Sequence, residues 1–156
     1  MNHPSYQMIL KDLALYKYVF FVLISILILD GLWINLFFKH RFFPMIETIQ
    51  KSPVIIYPFY AVLAYIILIA LVCILIPKCS SFAEAFLIGF LVYAVYDSTN
   101  LATITEWNLV NAIIDSLWGG VLFMIIYILY ANIFLLNPVT TEPGPSLDLN
   151  MLQQTL

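Results

Sequence analysis

The chain has 156 residues, of which 63% are hydrophobic and only 10% charged, with a net charge of −3. Soluble domains lie nearer half apolar and a quarter charged, so these residues cannot cover a water-exposed surface, and the composition is that of an integral membrane protein. Six Lys and Arg, spread along an acidic chain, exclude nucleic-acid binding by phosphate neutralisation.

In chain order, residues 1–17 read as an N-terminal interfacial segment. Met8, Ile9, Leu13 and Tyr16 alternate there with Lys11, Asp12 and Lys17. The stretch is expected to lie at the membrane surface or to extend the first helix. A bilayer core takes ~20 apolar residues as helix. Four runs meet that length, at about 18–38, 57–76, 82–103 and 109–135. The first is not a cleaved signal sequence: it is long, Asp30 interrupts it, and no small-residue cleavage site follows. Ser81 and Glu84 fit a capping box at the third start, and Asn108 suits the cap of the fourth helix. Pro77 and Pro138 stand where the second and fourth helices should stop. The expected fold is therefore all-α, a four-helix transmembrane bundle over 18–135. Residues 136–156 read as a disordered polar tail. No internal repeat is evident.

Four spans place both termini on one side of the membrane, side A, with the first and third links on side B. Basic residues are balanced: Lys11, Lys17 and Lys78 on side A, Lys39, Arg41 and Lys51 on side B. The positive-inside rule therefore gives no orientation. Cys73 and Cys79 match no zinc or redox spacing. They read as free thiols, with no metal site and no cofactor implied.

Three of the spans carry one aspartate each: Asp30, Asp97 and Asp115. With a 1.5 Å rise, they lie ~12, ~9 and ~9 Å from the side-B helix ends. Alternating helix directions bring all three into the same half of the membrane. Neighbours at helical spacing extend the pattern: Tyr93 and Asn100 around Asp97, Asn111 and Trp118 around Asp115, Trp33 beside Asp30, and Tyr60 on the second helix. These residues are expected to line a polar pocket in the side-B half. Gly31, Gly89, Gly119 and Gly120 are expected at close helix approaches.

A charged side chain at mid-membrane costs roughly 2.5–3.5 kcal/mol on insertion scales. It must face a partner, a cavity or a proton. No Lys or Arg lies inside a span; the nearest basic groups are Lys39, His40 and Arg41. The plainer reading is that these polar residues only tie helices together. Trp107, next to the third helix, reads as an interface anchor.

The stretch YDSTNLATITEW, followed by Asp115, Trp118 and Gly119, resembles the signature of an uncharacterised family of small four-helix integral membrane proteins. That pattern is Tyr-Asp-x-Thr-Asn-Leu-Ala-Thr, a Trp four residues on, then Asp-x-x-Trp-Gly. It falls here on Tyr96, Asp97, Thr99 to Thr103, Trp107, Asp115, Trp118 and Gly119, with Leu29, Asp30 and Trp33 matching the first helix. Asn108 departs from the pattern, standing where the family has Pro. The resemblance covers about 18–135 and implies a fold and a site, not a reaction.

Three functions stay open. The first is binding or transport of a cation, a proton, or a small polar or lipid ligand, with a homodimer compensating for so few helices. The second is an enzyme acting on a lipid head group, for which no nucleophile or metal motif is present, so the weight lies against catalysis. The third is a structural or assembly protein whose polar residues fix helix packing.

Overall fold

The computed structural model describes residues 4–135, with side chains from residue 12 onward. Helix α1 runs from Pro4 to Trp33, and a π-helical turn, Ile34–Phe38, joins it without a break to α2, Lys39–Gln50. Then follow α3 (Pro58–Leu75), a 3-10 turn (Ile76–Lys78), α4 (Phe82–Thr103) and α5 (Leu109–Tyr130), which ends in a second π-helical turn, Ala131–Leu135. Four segments are long and apolar enough to cross a membrane: Asp12–Gln50, Pro58–Lys78, Phe82–Thr103 and Leu109–Leu135. The all-α, four-span architecture is as expected. The polar tail lies outside the described residues.

The first span differs from expectation at its side-B end. A loop was expected after residue 38, but the chain stays helical to Gln50. The reason is amphipathic packing: Phe42 is buried, and Met45, Ile46 and Ile49 pack beside it, giving an i, i+3, i+4, i+7 face. That face seats on Trp107 and Ala112, so α2 covers the α4–α5 link. Lys39, His40 and Arg41 stay exposed. Where α1 meets α2, the Lys39 amide donates to the Ile34 carbonyl, five residues back. One extra residue is thereby inserted into the helix, as in the π-bulges common at functional sites.

Local caps hold the other boundaries. The Glu84 amide donates to Ser81 Oγ at 3.2 Å. The Glu84 carboxylate accepts from the Ser80 amide and hydroxyl at 2.8 and 2.6 Å, so the box closes one residue earlier than expected. Asn108 Oδ1 accepts from the Asn111 amide at 3.0 Å.

The most extensive packing is α4 on α5. A Cβ at Gly89 would meet the Gly119 carbonyl and Phe123, one at Gly119 the Tyr93 ring, and one at Gly120 the Phe86 ring at 2.6 Å. These three glycines allow the close approach expected of small residues. Gly31 does not: a Cβ there would meet nothing within 4 Å. Helix α1 contacts α3 on one side and α5 on the other, while α3 makes no extensive contact with α4. The side-A half is apolar, built on Tyr18, Val22 and Ile26 of α1, Val72 and Ile76, and Leu122, Phe123 and Ile126 of α5.

Candidate functional site

Each of the three aspartates is buried, with Asp30 9%, Asp97 1% and Asp115 5% exposed. Each also accepts a hydrogen bond from a different indole. Trp118 Nε1 donates to Asp30 Oδ1 at 3.1 Å, Trp33 Nε1 to Asp115 Oδ1 at 3.3 Å, and Trp107 Nε1 to Asp97 Oδ1 at 3.2 Å. The chain has three tryptophans, so every one of them serves a membrane carboxylate. A neutral indole N–H satisfies a carboxylate oxygen without bringing a second charge into the bilayer.

Two of these bonds form a crossed pair. Helix α1 carries Asp30-Gly31-Leu32-Trp33, and α5 carries Asp115-Ser116-Leu117-Trp118. Within a helix, residues three apart share a face, but each tryptophan reaches across to the other helix's aspartate. The two indoles then stack, with centroids 4.7 Å apart and planes at 4°. Phe37 stacks on the far face of Trp33 at 4.4 Å, and the Arg41 guanidinium lies over Phe37 at 5.5 Å. An aromatic column thus runs from the exposed basic residues inward to the acids.

Asp30 and Asp115 line one cavity of about 280 Å³, with Trp33, Phe38, Tyr65 and Tyr93 among its other walls. A second cavity of about 310 Å³ shares Phe38, Tyr93 and Asp115 with the first and is continued by Val92 and Tyr96 of α4. The two acids differ in what they have left to offer. Asp30 is satisfied at both oxygens, because Tyr65 Oη donates to Oδ2 at 2.9 Å. Asp115 receives a donor only at Oδ1 among the described residues. Its Oδ2 has no donor among the described residues, and Asp115 lines both cavities.

Asp97 is elsewhere. Its side chain lies between α4 and α5, where Ser116 Oγ approaches Oδ2 at 3.5 Å and Trp107 covers Oδ1. Ser116 follows Asp115 directly, so the two acids are level but on different faces of α5. Asp97 lines a separate pocket of about 170 Å³.

Of the other expected pocket residues, Trp33, Tyr93 and Trp118 join the Asp30–Asp115 site. Asn111 does not: its Nδ2 donates to the Arg41 carbonyl at 3.3 Å and fastens α2 to α5. Asn100 lines neither cavity, and its Nδ2 is buried without a hydrogen-bond partner among the described residues. Tyr60 is 67% exposed and packs on Tyr57 and Phe59. Tyr65, one turn further along α3, takes the place expected for it. Trp107 is 9% exposed rather than a surface anchor. Its position in the same polar stretch as Asp97 was the signal that it belonged to that acid.

Cys73 and Cys79 are free thiols, and no three His, Cys, Asp or Glu among the described residues are placed to hold a metal ion. No curated protein and no solved structure matches the chain. A family described as "Predicted membrane protein (DUF2177)" matches residues 14–131, and the chain belongs to that family.

Proposed function

We propose that the chain is a membrane-embedded binding protein whose Asp30–Asp115 cavity takes a cationic ligand. The uncommitted Oδ2 of Asp115 is the observation that carries this reading. A buried carboxylate oxygen with no donor favours a group that brings a proton or a positive charge. The Phe38 ring in the same walls suits a cation as well. Among the described residues, no Lys or Arg lines the cavity to compete with the ligand. Transport would use the same site.

The test is saturable binding of dodecylammonium to the full chain in phosphatidylcholine nanodiscs. Asp115→Asn keeps an oxygen for Trp33 but removes the charge, and is expected to weaken binding by about tenfold or more. Equal affinity of wild type and variant overturns the reading.

A second reading has its own observation. Asp30 has both oxygens engaged by protein donors, and Asp97 is enclosed between α4 and α5 with Trp107 donating to Oδ1. For these two acids the function supported best is to fix how α4, α5, α1 and α3 pack.

A further inference from the structure

The acidic layer lies between two apolar plugs. Toward side B, Phe38 of the cavity wall packs into the cluster of Phe42, Trp107 and Ala112 beneath α2. Toward side A, Tyr65, Leu68 and Tyr93 of the wall pack against the main core. Both ends are bounded by packed aromatic and aliphatic side chains. Sideways the situation differs. The walls come from both α3 and α4, yet these helices make no extensive contact with each other. At that gap the wall residues reach the surface: Ala64 of α3 is exposed, and Tyr96 of α4 is 55% exposed. The gap lies within two helices that cross the membrane, so it faces acyl chains rather than water.

The acceptors inside are also specific. Asp115 and Tyr93 both line the two cavities, and neither Asp115 Oδ2 nor the Tyr93 hydroxyl receives a hydrogen bond from a described residue. Two acceptors at one place suit a head with several N–H donors, and a protonated primary amine has three. Among the described residues, the same walls carry no basic side chain for a phosphate.

Resting on the binding reading above, we propose that the ligand is a primary amine on an apolar chain, entering from the bilayer between α3 and α4. The ammonium sits at Asp115 and Tyr93, and the chain lies along the α3–α4 gap against Leu68 and Val92.

The experiment compares dodecylammonium with ethylammonium on the full chain in phosphatidylcholine nanodiscs, read as ligand-dependent thermal shift. It uses wild type, Ala64→Trp at the gap, and Ile67→Trp, an exposed α3 position outside the cavity, as a control for bulk. Dodecylammonium is expected to bind about 100-fold more tightly than ethylammonium, since the chain is also buried. Ala64→Trp is expected to weaken it about tenfold, with Ile67→Trp near wild type. Equal affinity for the two amines, or no loss in Ala64→Trp, overturns bilayer entry and leaves the Asp115 site standing. No saturable binding of either amine to wild type overturns both.

Discussion

Asp97 shows most simply what an indole does for a membrane carboxylate. It is almost fully enclosed, and its oxygens face Trp107 and Ser116. Trp107→Phe keeps an aromatic ring against Phe42 but removes the donor. The orphaned acceptor should cost about 1–3 kcal/mol, read as a lower unfolding midpoint in detergent, with dodecylammonium binding unchanged. A midpoint equal to wild type would mean that the bond contributes nothing. The pairing itself was only partly legible in the sequence. Asp30 and Trp33 are three apart on one helix, as are Asp115 and Trp118, so spacing suggests partners within each helix. The crossing depends on how α1 and α5 are rotated toward each other, which no local pattern records. Tyr60 and Tyr65 make the same point. Lipid is as apolar as Leu, so an apolar membrane helix has no hydrophobic stripe to mark its inward face. Helix α3 is such a helix, and its rotation follows from packing on α1.

Among the elements, α4 and α5 are the most extensively packed pair, and α3 packs mainly on α1. The glycines separate these roles. Gly89→Ala would place a methyl against the Gly119 carbonyl and within 2.7 Å of Phe123. Such overpacking should cost about 1–3 kcal/mol. Gly31 has open space and lies inside α1, where alanine is the better helix former. Gly31→Ala should therefore be neutral or stabilising by up to about 1 kcal/mol. Unfolding midpoints of the two variants check this, and equal losses would contradict the packing described. Helix ends were the legible part of the elements, because Ser81, Glu84 and Asn108 announce them chemically. The continuation of α1 into α2 was not announced, since Lys39, His40 and Arg41 look like the start of a loop. The apolar face that keeps this segment helical is matched by residues some sixty positions later in the chain, Trp107 and Ala112.

At the scale of the whole molecule, the bundle is layered. An apolar core fills the side-A half, an acidic layer follows, and α2 with its cluster closes the side-B end. Composition alone made the chain a membrane protein, and four apolar runs made it a four-span one. Depth arithmetic placed three acids in one layer, and the Asp97–Ser116 and crossed Asp–Trp bonds agree with that level. What it could not supply was direction around the helix axes, and direction separates Asp97 from the cavity shared by Asp30 and Asp115. The layer therefore holds three carboxylates in three different conditions. Asp97 is enclosed between two helices, Asp30 is saturated by Tyr65 and Trp118, and Asp115 is open on one oxygen. The measurement that tests this division most directly is a parallel comparison of Asp30→Asn, Asp97→Asn and Asp115→Asn in nanodiscs. Each variant is scored for both unfolding midpoint and dodecylammonium affinity. Asp115→Asn should lose about tenfold or more in affinity while keeping a midpoint near wild type, and Asp97→Asn should lose stability with affinity retained. Equal affinity losses in Asp97→Asn and Asp115→Asn, or none in Asp115→Asn, would contradict it.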